Sequence, residues 1–327
     1  VTGDGVFLPT LLDGMIVSAG NADTMNVENA VGGAILNRGG SLTLSNMAFV
    51  ANSAYDGGAI AHFNSTLRLD NVTFLGNRAL HYGGGLYNRS GNLNLAGVNF
   101  AQNVAQEGGG LAVEREIGGG NFDVNISQAQ FGGNQASQRG GGLLLLTAPN
   151  VRGTGIVFNG NQAADGGAVA ADNSTAQFSK AEWNNNTASN SGAAVHGVDS
   201  NLQFVAASFT GNQAALAGGI YRRGGDMGLS EGTFTANQAS GNAGAIYLEG
   251  AGSVVMNRLY LYANRSGGSG GAILATGTTD LRIYNAVATG NEAVSGAVIA
   301  GQNAALKVSN VSAAGNNSTG GAIISAD

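Results

Sequence analysis

Ionisable side chains recur at one position of a repeated sequence pattern, and any acid–base chemistry would have to start there. The residues at this position are Arg38, Arg89, Glu114, Asp172, Arg223 and Glu249. Acids and cations that lie side by side can serve as the general acid and base of a polysaccharide lyase or hydrolase. The same residues can instead form exposed ion pairs, each worth less than about 1 kcal/mol. The pattern favours ion pairs, so we predict no catalytic residue, and a polysaccharide-active enzyme is our third interpretation.

Three further groups of residues are of types that bind ligands. His62, His81 and His196 lack the spacing of metal ligands. The glycine-rich residues 267–271 have the composition of a phosphate-binding loop, but no helical pattern follows them. The run GGGNFD at residues 118–123 matches a single copy of a calcium-binding repeat, which is too little for a site. We therefore expect no metal site and no cofactor.

An insertion near residues 113–121 is the best candidate for a contact with a partner. It lengthens one repeat by about six residues relative to its neighbours. The segment contains Glu114, Arg115 and Glu116. We predict a protruding loop here, which either contacts a partner, because loops on a rigid scaffold often carry function, or is a tolerated insertion.

The composition excludes several classes of protein. The chain has 327 residues, with 56 glycines, 43% hydrophobic residues and a net charge of −6. Glycine does not recur at every third position, which excludes collagen, and the hydrophobic content disfavours disorder. The acidic balance leaves no basic surface for nucleic acid, and no apolar run reaches the roughly 18 residues needed for membrane insertion. Because cysteine is absent, disulfides and cysteine-ligated metals are excluded.

The chain is rich in Asn-x-Ser/Thr triplets, which accept N-linked glycans in secreted proteins. The candidate glycosylation sites are Asn64, Asn71, Asn88, Asn125, Asn173, Asn185, Asn310 and Asn317. Asn264 and Asn316 also begin such triplets, but a second pattern places them in the core, where we expect no glycan. The triplets predict a glycoprotein with an extracellular or cell-surface location.

Two sequence marks recur along nearly the whole chain. The first is a triplet of small residues followed by an aliphatic residue, as in Gly-Gly-Ala-Ile. Successive copies lie 25 to 27 residues apart, except for one interval of 32 residues. The aliphatic residues are Ile35, Ile60, Leu86, Leu111, Leu143, Val169, Val195, Ile220, Ile246, Ile273, Val298 and Ile323. A fixed period of this length indicates a solenoid of stacked coils.

The second mark, an aromatic residue followed three positions later by asparagine, lies between copies of the first. The aromatic residues are Phe49, Phe74, Phe100, Phe131, Phe158, Trp183, Phe209 and Phe234. The asparagines are Asn52, Asn77, Asn103, Asn134, Asn161, Asn186, Asn212, Asn237, Asn264, Asn291 and Asn316. We predict an interior stack of aromatic rings and a ladder of hydrogen-bonded asparagine side chains.

Short segments of alternating polar and apolar residues connect the marks, and no helical period occurs. Leu42-Thr43-Leu44 and Leu67-Arg68-Leu69 are clear copies. We predict an all-β, right-handed parallel β-helix of about 12 coils, with about 26 residues and three strands in each coil. It would span residues 26–327, while residues 1–25 would form a degenerate first coil, a cap or a strand donated to a neighbouring molecule.

Two features predict self-association. The outward position after the first mark carries mainly tyrosines and aliphatic residues: Leu36, Ala61, Tyr87, Ala112, Leu144, Ala170, His196, Tyr221, Tyr247, Leu274, Ile299 and Ile324. We call this column the outer stripe. An exposed apolar stripe usually marks contact with a partner, and the alternatives are a cover of glycan or of the chain's own N-terminal segment. The sequence also ends one strand into its last coil without a polar cap, which predicts open strand edges.

The alternation of Gly-Gly-Ala-(Ile/Leu/Val) with Phe-x-x-Asn resembles the repeats of chlamydial polymorphic outer-membrane proteins and of similar secreted β-helix proteins. The resemblance covers residues 26–327 and implies a right-handed β-helical passenger that is exported to the cell surface and is often adhesive. Our leading hypothesis is an extracellular structural rod that assembles end to end into a fibre or surface layer. The alternative is an adhesin passenger, a binding module of a longer surface protein.

Overall fold

Short strands follow one another along the chain in a fixed order of sheets. The computed structural model describes residues 10–22, 30–277 and 279–326. Within these ranges every element is a β-strand, and the strands form three sheets of parallel pairs. Each coil contributes to all three sheets before the next coil begins. The predicted three-sided parallel β-helix is therefore confirmed.

One sheet, the aliphatic sheet, begins each strand at an aliphatic residue. Its strands in the described part of the chain are Ile35–Arg38, Ile60–Phe63, Leu86–Arg89, Leu111–Glu114, Leu143–Leu146, Val169–Asp172, Val195–Val198, Ile220–Arg223, Ile246–Glu249, Ile273–Thr276, Ile299–Gln302 and Ile324–Ala326. Another, the narrow sheet, has the shortest strands: Asn21–Ala22, Ser53–Ala54, Arg78–Ala79, Val104–Glu107, Gln135–Arg139, Gln162–Asp165, Thr187–Ser191, Gln213–Ala214, Gln238–Ala239, Arg265–Ser266, Glu292–Ala293 and Asn317–Ser318.

The third sheet, the aromatic sheet, carries the aromatic residues of the second mark. Early coils give it two short strands each: Thr10–Asp13, Ile16–Ser18, Leu42–Ser45, Ala48–Val50, Thr66–Asp70, Thr73–Leu75, Asn92–Ala96, Asn99–Ala101, Val124–Ser127, Gln130–Gly132, Val151–Thr154, Val157–Asn159, Thr175–Ser179, Glu182–Asn184, Asn201–Val205 and Ser208–Thr210. In the later coils the two strands merge into Met227–Thr235, Gly252–Tyr262, Thr279–Thr289 and Ala305–Ala314.

The glycines of the first mark shape the corner that leads into the aliphatic sheet. Gly57 has a φ of +63°, and a Cβ there would lie 2.2 Å from the carbonyl oxygen of Ile60. A Cβ on Gly58 would lie 2.2 Å from the carbonyl oxygen of Gly84, in the next coil. The corner therefore requires glycine both for the left-handed backbone and for the close approach of neighbouring coils.

The aromatic side chains form one continuous interior stack. Successive ring centroids from Phe49 to Phe234 lie 4.4 to 5.5 Å apart. All eight rings of the series are fully buried. Each ring pair adds about 0.5–1.5 kcal/mol beyond the burial of its surface.

The stack explains why the third residue of the triplet is small. A Cβ on Gly110 would lie 3.1 Å from a ring carbon of Phe131, and the close approach of the next coil adds to the restriction, because the carbonyl oxygen of Gly142 would lie 2.6 Å away. Near the end of the chain the aromatic position holds Ala288 and Ala313, and Val298 and Ile323 pack into the core at the triplet position. Two predicted marks are therefore wrong by one residue, since the strand register pairs Ile273 with Ile299 and Ile299 with Ile324.

The asparagines form a ladder along one corner. The Nδ2 atom of Asn77 donates to Oδ1 of Asn103 at 3.0 Å and to the carbonyl oxygen of Phe49 at 3.0 Å. The same Oδ1 accepts the backbone N–H of Asn77 at 2.9 Å. Equivalent amide-to-amide bonds join Asn52, Asn77, Asn103, Asn134, Asn161, Asn186, Asn212, Asn237, Asn264, Asn291 and Asn316.

The first described coil is only partly covered by the structure. Residues 10–22 contribute three strands that pair with the coil after them. The rest of the predicted segment 1–25 lies outside the described residues. Among the described residues, no helix has the length and apolarity required to span a membrane.

Candidate functional site

The predicted outer stripe is largely covered. Tyr87, Ala112, Leu144 and Ala170 are buried in a small apolar cluster separate from the interior core. Leu274 and Ala300 belong to a third cluster. The expectation of an open apolar stripe is therefore wrong over much of its length. In the last two coils, the stripe position is held by Ala300 and Ser325, because the marks shift by one residue.

Part of the cover comes from Phe63 and Leu146, at the ends of their strands, and part from the residue that precedes each small triplet. We call this series, which includes Asp56, Tyr82, Glu107, Arg139, Asp165 and Ser191, the turn column. The ring of Tyr82 stacks on Tyr87 with centroids 5.5 Å apart. Since the turn column varies in residue type from coil to coil, the repeat pattern alone did not predict this cover.

Tyr82 and Tyr87 are held in their neutral forms. Burial raises the pKa of Tyr82 to about 12. Burial also raises the pKa of Tyr87, and the hydrogen bond from its hydroxyl to Glu114 acts in the same direction. Neither phenol is therefore suited to act as a base near neutral pH.

Arg139 links three coils across the outer face. Its guanidinium bonds to Glu107 at 2.6 Å and to Asp172. Asp172 occupies the last position of its strand, so the arginine side chain extends from the turn column across the covered stripe. Of the charged residues predicted from the sequence, the structure thus places Asp172 in an ion pair.

Three other members of that charged column have partners, whereas the side chain of Arg223 is exposed. Arg89 pairs with Glu116 at 3.0 Å, and Glu249 accepts the hydroxyl of Tyr221. Arg38 lies 5.4 Å from the ring centroid of Phe63. These contacts give Arg89, Glu249 and Arg38 structural partners, and the absence of a catalytic residue stays a prediction.

Asp165, Ser191 and His196 form the cluster that most resembles a catalytic constellation. The Ser191 hydroxyl lies 2.6 Å from Oδ1 of Asp165 and 2.8 Å from Nδ1 of His196. Burial lowers the pKa of His196, so its imidazole is neutral near pH 7. A hydroxyl that donates to Asp165 and accepts the Nδ1 proton orients this histidine. In an activated nucleophile the aspartate would instead bind the second histidine nitrogen.

The other histidines lie apart from this cluster. His62 is fully buried in the interior, where Nδ2 of Asn37 lies 3.0 Å from its Nδ1. Burial lowers the pKa of His62 to about 4. His81 pairs with Asp56 at 3.3 Å. In the described part of the chain, no group of three or more His, Asp or Glu residues is arranged to hold a metal ion.

The glycine-rich residues 267–271 do not form an anion-binding loop. The N–H groups of Gly267 and Gly268 donate to the carbonyl oxygens of Ala239 and Gly241. The N–H of Ser269 donates to the side chain of Asn242, and those of Gly270 and Gly271 donate to the next coil. Because all five N–H groups have protein acceptors, none is available to a phosphate.

The predicted contact loop is bonded to the preceding coil through Ser90 and Arg89 and to the following coil through Thr147. After the strand Leu111–Glu114, the Glu116 N–H donates to Oγ of Ser90 at 2.7 Å, and the side chain of Glu116 pairs with Arg89. The side chain of Ile117 is fully exposed. The sequence singled out Glu114, Arg115 and Glu116, whereas the most exposed apolar side chain of the loop is the residue after them.

The candidate glycosylation sites divide by exposure. Asn64, Asn71, Asn125, Asn173, Asn185, Asn310 and Asn317 are exposed. Asn88 is fully buried and its Nδ2 donates to the carbonyl oxygen of Gly91, so the prediction of a glycan there is inconsistent with the fold. The reason is that its strand position points into the coil, in the same column as His62.

One notable buried residue has no counterpart in the sequence-based predictions. Arg222 is fully buried and bonds to the carbonyl oxygens of Gly225 and Ala251, the latter at 2.8 Å. Burial lowers its pKa. Gly252 leaves room for the guanidinium, because a Cβ there would lie 1.7 Å from Nη2. An arginine that donates to turn carbonyl oxygens of two coils stabilises their stacking. The sequence did not single out Arg222, because Arg223 is adjacent and the pattern does not tell which of the two points inward.

Comparison with known proteins supports the repeat assignment. Residues 71–89 and 155–172 match the family model of the Chlamydia polymorphic membrane protein (Chlamydia_PMP) repeat. Each match contains one aromatic-asparagine mark and the glycine-rich mark after it. No curated protein and no solved structure matches the chain significantly. The similarity together with the β-helix confirms the resemblance drawn from the sequence.

Proposed function

We propose that this chain is the β-helical passenger of a surface protein and acts there as a binding module. The match to repeats of a polymorphic membrane protein supports a surface location. The coil architecture supports the role of a scaffold, because each coil packs only against its neighbours and can carry a loop without loss of the core. A site must then be found on the scaffold, since this fold type serves many functions.

The loop around Ile117 is the observation that carries the proposal. Its backbone is held by Ser90 and Thr147, and the Glu116 side chain is held by Arg89. A fully exposed isoleucine gains about 1.5–3 kcal/mol when a partner buries it. Because the anchored loop loses little conformational freedom on binding, this gain is retained in the affinity.

Assembly of the rods into a fibre or surface layer stays a prediction. Its lateral contact was expected at the outer stripe, and the burial of Tyr87, Leu144 and Ala170 removes that support. The anchored loop favours a binding module over a purely structural rod.

The test is saturable binding of fluorescently labelled protein to whole cells, both cultured epithelial cells and bacteria. We expect Ile117→Asp, and separately deletion of residues 115–120, to weaken binding about tenfold or more. The matched control is Leu80→Asp, which changes another exposed aliphatic side chain at a different corner. Equal binding by the Ile117 and Leu80 variants, or no saturable binding by the unaltered protein, would contradict the proposal.

A further inference from the structure

The outer face of the aromatic sheet changes character in the later coils. There the sheet is built from the continuous strands Met227–Thr235, Gly252–Tyr262, Thr279–Thr289 and Ala305–Ala314. Outward positions in the preceding coils carry mostly small or polar residues, such as Ser208 and Thr210. In the strand Gly252–Tyr262 the equivalent positions carry Tyr260 and Tyr262.

Three apolar side chains, those of Tyr260, Tyr262 and Val287, are exposed near one another on this face, and Val255 is exposed five residues before Tyr260 on the same strand. Tyr260 is 46% exposed, Tyr262 44%, Val287 43% and Val255 41%. The two tyrosine rings have centroids 6.4 Å apart and planes inclined by 23°. We call Tyr260, Tyr262 and Val287 the tyrosine platform. A cluster of this kind marks a contact site more strongly than the same side chains scattered singly.

Small hydroxyl-bearing residues surround the two rings. Tyr260 lies between Thr233 and Val287 in the strand register, and Tyr262 lies between Thr235 and Thr289. Threonine side chains are shorter than tyrosine side chains, so the rings extend beyond their neighbours. Their hydroxyls can each donate and accept a hydrogen bond beside the rings.

The charges around the platform are mostly paired within the protein. Arg258 bonds to Glu231 at 2.5 Å, and Arg282 bonds to Asp280 at 2.7 Å. Lys307, the remaining charged residue of these four strands, lies beside Arg282 rather than beside the tyrosines. The surface next to the rings therefore carries little net charge and complements a neutral partner.

We propose that the tyrosine platform binds a neutral oligosaccharide. A stable protein interface buries about 800 Å² on each partner, which is more than these few side chains supply. A pyranose ring presents a face of C–H groups that packs on a tyrosine ring, and its edge hydroxyls can bond to the threonine hydroxyls and phenol groups. The site is separate from the loop around Ile117, which lies on a different coil.

The test uses three neutral hexasaccharides of defined linkage, namely cellohexaose, maltohexaose and hexa-N-acetylchitohexaose, titrated against the purified full chain by calorimetry. We expect at least one to bind and the double variant Tyr260→Ala/Tyr262→Ala to lose about tenfold or more in affinity. The double variant Tyr260→Phe/Tyr262→Phe should keep most of the binding, because its rings are retained. Tyr284→Ala, which removes a tyrosine from another outward column of the same sheet, is the matched control.

Four outcomes would overturn the proposal. The first is no binding of any of the three sugars, and the second is undiminished binding by the alanine double variant. The third is tighter binding of a heparin-derived hexasaccharide, which would indicate an anionic ligand. The fourth is an equal loss in Tyr284→Ala. Circular dichroism of each variant verifies the fold, and deletion of residues 115–120 should leave sugar binding unchanged, which separates this proposal from the function of the loop.

Discussion

Each asparagine of the ladder is worth more than one hydrogen bond, because its amide serves three neighbours. Asn134 donates to Oδ1 of Asn161 and to the carbonyl oxygen of Phe100, and its own Oδ1 accepts two N–H donors from Asn103. Removal of the side chain leaves the partners buried without replacements. The stability of the rod should therefore be sensitive to single members of the ladder.

We predict that Asn134→Ala lowers the free energy of unfolding by about 1–3 kcal/mol, since buried donors and acceptors lose their partners. The measurement is the shift of the urea midpoint, followed by circular dichroism. Asn159→Ala, at an exposed asparagine, is the control and should change stability by less than about 0.5 kcal/mol. Similar shifts for both variants would show that the ladder adds little.

A second prediction at this scale concerns acid. The pKa of His62 is about 4 in the folded protein, against 6.5 for an ordinary histidine. The unfolded chain therefore binds this proton more readily, and stability present above pH 6.5 is lost as the pH falls from 6.5 to 4. The loss should approach 3 kcal/mol, about 1.4 kcal/mol per unit of pKa difference.

The control for this prediction is His62→Asn, which matches Asn37 and Asn88 in the same interior column. As the pH is lowered from 7 to 4, the unfolding free energy of the unaltered protein should fall more than that of the His62→Asn variant. A difference that does not vary between pH 7 and pH 4 would mean that His62 does not titrate in this way.

At the scale of the element, the corner before the aliphatic sheet is the least tolerant part of a coil. A Cβ on Gly84 would lie 2.3 Å from the carbonyl oxygen of Gly109 and 2.6 Å from that of Val104. Backbone atoms of two coils would have to separate to admit it. Gly132 has no atom within 4 Å of the equivalent position.

We predict that Gly84→Ala destabilises the protein by about 3 kcal/mol or more, through overpacking. Gly132→Ala should be neutral or stabilising by up to about 1 kcal/mol, because alanine restricts the unfolded chain and suits a strand better than glycine. Thermal unfolding of the two variants tests the contrast. If the two variants have the same melting temperature, the close approach of the coils is not the reason that glycine is required at position 84.

The sequence predicted these elements where every coil repeats the same packing. The aromatic and asparagine positions recur because one coil must stack on the next, so their register from Phe49 to Phe234 was readable. The predicted register was wrong by one residue at Val298 and Ile323. In these two coils a pair of adjacent aliphatic residues follows the small residues, and its first member fills space that an aromatic ring occupies elsewhere. The cover by Tyr82 and Arg139 was not predictable, since the turn column has no repeated residue type.

The functional positions were harder to predict for the same reason. Ile117 lies in an insertion, and Tyr260 and Tyr262 replace small residues in a single coil, so none of them follows the period. Arg222 was missed because periodicity alone does not tell which of two adjacent arginines points inward. A departure from the repeat, rather than the repeat itself, is the signal to examine in such chains.

At the scale of the whole molecule, stability is a sum over neighbouring coils. We predict that deletion of residues 195–219, a complete period, leaves a folded rod that is shorter by about 5 Å. Deletion of residues 195–206, about half a period, should prevent folding of the adjoining coils, because it removes the strands Val195–Val198 and Asn201–Val205 and leaves that coil too short to stack on its neighbours. Circular dichroism and small-angle X-ray scattering test both variants. A folded half-period deletion would contradict the strict stacking of like positions.

The ladder also gives the rod a dipole moment along its axis. Backbone bonds between coils run both ways, as in Ala34 to Ala59 and Ala48 to Met15. The amide-to-amide bonds of the ladder all donate toward the later coil, and every Oδ1 of the ladder accepts from the earlier coil, so the side-chain dipoles, each about 3.5 D for an amide, add along the axis instead of cancelling. Two such rods lying side by side at low ionic strength would be drawn into opposite orientations.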